Sequence, residues 1–530
     1  MRQIVRSRCL DLCRVVMGAD LCCDVSVIDR SWRVYYPPEG SGIRFSNKKD
    51  ESDRGENVAS GHASVGPREE RGGAMTARGS LNQDRLKSLA ATFSGVLLHP
   101  GDDGYEEARR VHNGLIDKRP ALIARCRGAA DIVDALGFAR ENSLEISVRG
   151  GGHSVAGRAV TEGGVMIDLS LMKGIHVHQK ARTVRAQGGV TWREFNRETA
   201  IYGLATTGGV ISTTGIAGLT LGGGIGWLMG KHGLSVDNLL SVELVTAAGE
   251  VLTVTAEEHP DLFWALRGGG GNFGVASSFE FRLHPLRQVL GGLIAHPSAA
   301  AKQVLRFYRE FSAAAPDELT VFGALVHAPD GSGVPLAAFV LCHCGSPEQA
   351  EKDVRPLLEF GRPVLVQVRP MPYPAMNMIL DDGFPRGAFN YWKSSFFRAL
   401  NDGAIDAMVD RFATCPSPMS KIVIEPHHGE ETRFSMSETA VPHREPGYNV
   451  LIPSVWRDPA MTGENIAWTR ATYAALEPHF ARRRYVNYLD DDEGKDAVRS
   501  AYGPNYARLV EIKRRYDPGN LFRLNHNIEP

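Results

Sequence analysis

Two glycine arrays constrain this chain more than any other feature in it. The first, Arg149-Gly150-Gly151-Gly152-His153-Ser154, follows the strand-like run Ile146, Ser147, Val148. Consecutive glycines let a backbone turn sharply and come within hydrogen-bond distance of a ligand, because no Cβ intervenes. The second array runs from Gly208-Gly209 through Gly215, Gly218 and Gly222-Gly223-Gly224 to Gly226. Backbone N–H groups presented by such turns are ready donors for a pyrophosphate. Two arrays in one segment ask for a large, phosphate-bearing ligand. Gly150, Gly151, Gly152, Ser154 and Gly157 form the first expected set of contacts, and Thr213, Gly215, Gly218 and Leu219 the second. A nicotinamide Rossmann domain is disfavoured: Gly222-Gly223-Gly224-Ile225-Gly226 lacks the strand–helix context and the following acid of that fingerprint.

At 530 residues the chain exceeds one ordinary core, so two domains plus extras are expected. A formal net charge of -1, with no basic cluster along a helix, argues against nucleic acid as a partner. No apolar run approaches the ~20 residues of a membrane span, so no membrane partner is expected either. Of the cysteines, Cys126, Cys342, Cys344 and Cys415 lie in the body of the chain. Cys342-His343-Cys344 lacks the paired spacing of a zinc site and ends an apolar, strand-like run, so buried thiols are expected rather than a metal. A reducing cytoplasm fits this usage. Residues 1–74 differ in texture, with a polar, charged run from Ser46 to Gly73 and no sustained periodicity. Asp11, Arg14 and Asp20 interrupt the apolar patch Leu10 to Leu21, which argues against a secretory signal. Two readings stand for this extension: a disordered tail, or sequence upstream of a true start near Met75.

Further on, Ala129 to Asn142 carries Ile132, Val133, Leu136 and Ala139 on one helical face, and Leu144 to Val148 is a strand feeding the first turn. Leu239 to Thr246 and Val251 to Val254 read as a hairpin, and Gly274 to Leu283 as another strand. Past Leu286, strand-like runs (Val321 to Val326, Ala337 to Cys342, Pro363 to Val368, Lys421 to Ile424, Tyr448 to Ile452) alternate with amphipathic helices such as Ala299 to Phe311. That alternation suggests an antiparallel sheet backed by helices.

The glycine turns, GGVMIDL (Gly163 to Leu169), AQGGVTW (Ala186 to Trp192), Asp237-Asn238-Leu239 and the run Asp261 to Gly274 recur in an order that resembles the berberine-bridge-enzyme-like oxidoreductases of the vanillyl-alcohol-oxidase group. A tail signature adds to it: Tyr485-Val486-Asn487-Tyr488, Tyr502-Gly503, Asn505-Tyr506, Tyr516-Asp517-Pro518, Phe522-Arg523 and Asn525-His526-Asn527-Ile528. The resemblance implies an α+β fold: a two-part PCMH-type FAD-binding domain, an antiparallel-sheet substrate domain backed by helices, and a C-terminal berberine-type segment returning to the flavin domain. The expected boundaries are 75–287 for the FAD domain, with its PCMH-type core at about 116–287, then 288–480 for the substrate domain and 481–530 for the returning segment.

The same resemblance implies FAD as cofactor, bonded from His153 to the flavin 8α-methyl carbon. Relatives with a second link use a cysteine where this chain has Ile211, and no cysteine lies between Cys126 and Cys342, so a single tether is expected. Arg149, Gly224, Asn525 and Asn527 join the expected cofactor contacts, and Thr214 falls where relatives carry a residue gating oxygen. Proton transfer is expected from Tyr488, with Tyr485 in reserve. Some relatives place a base on the strand after Pro442-His443-Arg444; Asn449 and Leu451 stand there, so that base is expected to be missing. Trp392 and Lys393 are candidate pocket residues, Lys393 equally an ion-paired one. His427-His428, adjacent on a strand, face opposite sides and are not expected to share a metal. The function expected is oxidation of an alcohol, sugar or secondary metabolite, with oxygen or another acceptor taking the electrons. Two alternatives stand beside it: a flavin-binding carrier with little turnover, and a less favoured NADPH-dependent reduction of an enolpyruvyl group.

Overall fold

Short parallel strands with both faces covered need apolar residues on both sides, and Leu122–Arg125, Val165–Asp168 and Ile146–Arg149 meet that demand. The computed structural model describes residues 83–530, and it pairs these three in parallel with Val165–Asp168 in the middle. Val96–Leu98 adds an antiparallel edge. The helix Ala129–Glu141 packs its apolar face here through Ile132, Ala135, Leu136 and Ala139, all buried. The first glycine turn leaves the C-terminal end of Ile146–Arg149. The expectations for residues 1–74 lie outside the described residues.

A second, five-stranded antiparallel sheet runs in the order Ile175–His178, Thr183–Gln187, Val275–Arg282, Leu239–Val245, Val251–Val254. The hairpin read from the sequence is present as Leu239–Val245 with Val251–Val254. Its core joins Trp192, Phe279 and Phe281 to Tyr502, Leu509, Ile512 and Ile528 from the last fifty residues, so the tail folds back onto this part of the chain. The helix Trp192–Ile201 is started by a capping box: the Thr191 hydroxyl accepts from Glu194 N–H, and the Glu194 carboxylate accepts from Thr191 N–H at 2.8 Å.

The third layer is a seven-stranded antiparallel sheet, ordered Leu365–Pro372, Gln288–Pro297, Pro335–His343, Leu319–His327, Ile422–His427, Gly447–Trp456, Phe389–Phe397. The helices Ala301–Ser312, Pro347–Glu359, Asp402–Phe412 and Thr462–Leu476 contribute Val304, Val354, Ile405 and Trp468 to the core on one face. Because strand side chains alternate, Ile422 and Ile424 enter that core. Val423 and Glu425 point the other way, into a cleft shared with the glycine turns. This is the α+β architecture expected, with an antiparallel sheet backed by helices. Among the described residues, no helix is long and apolar enough to cross a membrane.

Candidate active site

The two glycine arrays meet backbone to backbone. A Cβ built on Gly151 would lie 2.2 Å from Gly215 N, and one on Gly215 would lie 2.3 Å from Gly151 N. No residue but glycine fits at either position. The second array is held in place by main-chain bonds: Trp192 N–H donates to Thr214 O at 3.0 Å, and Ile216 N–H to Val190 O at 2.9 Å. Gly151→Ala should therefore wedge the turns apart. Overpacking of this kind costs about 1–3 kcal/mol, and the flavin-to-protein absorbance ratio of the purified variant is expected to fall; an unchanged ratio would show that the contact is dispensable.

A cleft of ≈ 310 Å³ opens beside this contact. Its floor is glycine-rich: Gly150 to Gly152, Ser154, Gly209 to Ile211, Thr214, Gly215, Gly218, Leu219 and Gly270 to Asn272. His153 stands at its edge. Thr213 Oγ1 lies 3.0 Å from Nε2 and Thr214 Oγ1 3.2 Å from Nδ1, so each ring nitrogen has one hydroxyl partner. The His112 ring stacks on it at 3.9 Å and 25°. Burial, then the neighbouring His112 and Arg386, hold the His153 pKa well below the ordinary imidazole value. A neutral ring keeps one nitrogen lone pair, the requirement for a nucleophile or a metal-free base.

The tail closes the cleft from another side. Asn525 donates from Nδ2 to Gly271 O at 3.2 Å and Phe522 O at 3.0 Å, while its Oδ1 is buried without a partner. An acceptor left over on a cleft residue suits a ligand bearing N–H donors, as the flavin ring system does. His526 also lines the cleft, its pKa lowered to about 3 by burial and by Arg158. The glycine-lined floor and this orphan acceptor fit FAD.

The third wall comes from the seven-stranded sheet, and here lies the acid group that the sequence reading missed. Tyr488 donates its hydroxyl to Glu425 Oε1 at 2.9 Å, and Asn449 Nδ2 donates to Glu425 Oε2 at 2.7 Å. Glu425 and Asn449 are register partners on neighbouring strands. Burial raises the Glu425 pKa above the usual carboxylate range, against the hydrogen bonds from Asn449 and Tyr488. Burial and the adjacent carboxylate push the Tyr488 hydroxyl well above its ordinary value. Two residues on along the same strand face, His427 Nδ1 sits 3.1 Å from Glu431 Oε2. Burial lowers the His427 pKa, but Glu431 outweighs it and the net shift is upward.

Several expected contacts take other duties. Tyr485 does not line the cleft: its oxygen accepts from Gly224 N–H at 2.8 Å, Ile225 N–H at 3.3 Å and Asn487 Nδ2 at 2.9 Å. It braces the second glycine array, in which Gly224 adopts φ +94°. That corrects its place as reserve proton acceptor. Arg149 donates to the Ala108 carbonyl and lies near Asp168, outside the cleft lining. Gly157, with φ +67°, packs on Ile116 instead. Asn527 and Thr213 are also outside the lining, although Thr213 reaches His153. Ile211 lines the cleft at the position where a second tether would need a thiol. Trp392 lines it as expected, and Lys393 turns away to pair with Asp492 at 2.5 Å and Glu493 at 2.8 Å. Gly270 to Asn272 and His526 lay within quoted motifs without being given a role. Their signal was legible: four consecutive glycines and an asparagine after the helix Pro260–Leu266.

Comparison with known proteins agrees with this geometry. Residues 120–255 match the family described as FAD binding domain, and residues 484–529 the family described as berberine and berberine like. The chain is 32% identical over 455 residues to (R)-6-hydroxynicotine oxidase of Paenarthrobacter nicotinovorans, covering 83% of this chain and 97% of that one. An FAD-linked oxidoreductase of Dictyostelium discoideum is 29% identical over 451 residues, covering 84% and 97%. The crystal structure of 6-hydroxy-D-nicotine oxidase from Arthrobacter nicotinovorans superposes with a TM-score of 0.75 at 31% identity, covering 83% of this chain and 98% of that one. The chain belongs to the berberine-like FAD-linked oxidoreductases and is an enzyme of that family.

Proposed function

We propose that this enzyme holds FAD through one covalent bond from His153 and oxidises an alcohol, sugar or secondary metabolite, with oxygen or another acceptor taking the electrons afterwards. The observation that carries the reading is the Tyr488–Glu425 pair facing the same cleft as the glycine turns and His153. Bound FAD supplies a two-electron acceptor for hydride from the substrate carbon. Tyr488 Oη takes the hydroxyl proton of the substrate while its own proton passes to Glu425 Oε1. The buried carboxylate, with its raised pKa, is a stronger base than an exposed one and accepts that proton more readily. His427, paired with Glu431, places partial positive charge beside Glu425 and offsets the cost of the carboxylate there. The carrier alternative rested on a missing strand base and a missing second tether; Glu425 on the neighbouring strand weighs against the first ground, and Ile211 leaves the second in place.

Support for the tether is the neutral His153 ring, oriented by Thr213 and Thr214 and stacked on His112. Support for a single tether is Ile211. The division into a flavin domain at 75–287, a substrate domain at 288–480 and a returning segment at 481–530 is favoured by Tyr502, Leu509 and Ile528, which share the core of the five-stranded sheet. Free thiols at Cys126, Cys342, Cys344 and Cys415 suit a reducing cytoplasm.

The purified protein should stay yellow after acid precipitation, and His153→Ala should release its flavin into the supernatant while still folding. Mass spectrometry of a tryptic digest should carry the adduct on the His153 peptide and on no cysteine peptide. Complete release of flavin from the unaltered protein on denaturation would refute the tether. Peroxide release under air tests oxygen as the acceptor.

A further inference from the structure

The sheet side of the cleft is apolar and aromatic. Phe322, Leu380, Phe384, Trp392, Val423 and Leu451 line it, and among the described residues of that wall only Asn390 and Glu425 are polar. Asn390 is already engaged. Its Nδ2 donates to Ala388 O at 2.8 Å, its N–H donates to Asn113 Oδ1 at 3.0 Å, and its Oδ1 accepts from Trp392 Nε1 at 3.2 Å. Asn113, also in the lining, spends its Nδ2 on Val155 O and Asn390 O, both at 2.9 Å. On this side that leaves the Tyr488–Glu425 pair, in which Tyr488 Oη donates to Glu425 and keeps its lone pairs for a ligand donor.

The aromatic rings are set at steep angles. Trp392 meets Tyr488 at 5.8 Å and 68°, and Phe384 at 5.6 Å and 65°. Phe384 is in turn held by the Lys421 ammonium, 3.9 Å from its ring centroid. Rings fixed edge to face offer a flat slot in which another aromatic ring can stack on one wall and meet the edge of the next.

Resting on the oxidation proposed above, we infer that the substrate is a flat, largely apolar aromatic molecule with a single hydroxyl or amine on the carbon to be oxidised, and is not a saccharide. Every hydroxyl of a sugar ring entering this cup would give up its water, and all but one would find no partner on the sheet wall. Buried polar groups without partners are strongly disfavoured. A single hydroxyl or amine is satisfied by Tyr488 and Glu425. The aromatic remainder is satisfied by Trp392, Phe384 and Phe322.

The test uses the flavin-loaded enzyme with naphthylmethanol, naphthylmethylamine and cellobiose as probes, read anaerobically by perturbation of the flavin spectrum (binding) and by its bleaching (reduction). The naphthyl probes should reduce the flavin with kcat/KM at least roughly 100-fold above that of cellobiose. The two naphthyl arms separate an alcohol from an amine substrate. Trp392→Ala should weaken binding of the naphthyl probe roughly tenfold with flavin content retained, whereas a merely structural tryptophan would lower flavin content and binding together. If naphthyl probes perturb the spectrum and nothing bleaches it, the aromatic class stands and the oxidation reading falls. If cellobiose bleaches the flavin as well as the naphthyl probes do, the aromatic class is overturned and the oxidation reading stands. Naphthyl probes that neither perturb nor bleach the spectrum overturn the inference outright.

Discussion

Glu425→Gln is expected to slow anaerobic reduction of the flavin by about 10²–10⁴-fold, the usual worth of a general base. The amide keeps the shape of the carboxylate and can still bond Asn449, Tyr488 or both, so the fold has little reason to change. It cannot take the proton that the proposed mechanism passes through Tyr488. Tyr488→Phe should cost a comparable factor, because it removes the oxygen through which substrate and carboxylate communicate. The two changes together should cost little more than either alone, since residues that act as one unit are not additive. The pH dependence follows from the direction of the shift. Burial raises the Glu425 pKa, so the ionised, proton-accepting form is populated only as pH rises through a value above the ordinary carboxylate range. Reduction by the unaltered enzyme should therefore fall on the acid side of that value, and Glu425→Gln should lose this acid limb. A Glu425→Gln enzyme with the original rate would transfer the role to Tyr488 alone or to the substrate itself.

The location of Glu425 also marks where sequence reading reached its limit. The glycine turns, His153, Tyr488 and Asn525 are local signals, because each lies in a short motif that lines the same cleft. Glu425 is not local. The apolar run was read as ending at Ile424, and a charged residue next to it looks like the end of a strand. In the structure the strand continues as Ile422–His427, and the carboxylate is kept inside by Asn449 across the ladder and Tyr488 from the tail. Its partners lie 24 and 63 positions away along the chain, beyond the reach of any spacing rule. The strand after Pro442-His443-Arg444 was correctly read as carrying Asn449 and Leu451, but the inference from it looked at one strand when the neighbouring one supplied the acid. Tyr485 failed for the opposite reason. It belongs to the same short motif as Tyr488, and only its depth beneath Gly224 and Ile225 separates this bracing tyrosine from the one that lines the cleft. The sheet was legible in part: five of its seven strands show as short apolar runs, because strands such as Leu319–His327, Pro335–His343 and Gly447–Trp456 are buried on both faces, whereas Gln288–Pro297 and Phe389–Phe397 were not read as strands. Its strand order was not, since pairing such as Leu319–His327 beside Ile422–His427 joins segments with three α-helices and three other strands between them.

Arg444→Ala is expected to be strongly destabilising. Arg444 and Asp237 form a two-pronged ion pair at 2.8 and 2.7 Å, with side chains 2% and 1% exposed. The guanidinium also donates to Glu431 O at 3.2 Å and to Thr439 Oγ1 at 2.8 Å, and Asp237 accepts from Leu234 N–H at 2.8 Å. The pair thus ties the turn following the second glycine array to the loop that precedes the strand Gly447–Trp456. Removing the cation strands a carboxylate in a buried site, and a broken pair of this kind costs about 3–5 kcal/mol. The intact pair is worth much less than that figure, because forming it required both charges to leave water. Changing both residues, Asp237→Leu with Arg444→Leu, should consequently recover much of the loss. The measurement is a double-mutant cycle on the denaturant midpoint, followed by tryptophan fluorescence with flavin absorbance recorded in parallel. A double variant as unstable as the sum of the two singles would mean that the hydrogen bonds to Glu431 and Thr439, rather than the charge pair, hold the two segments together.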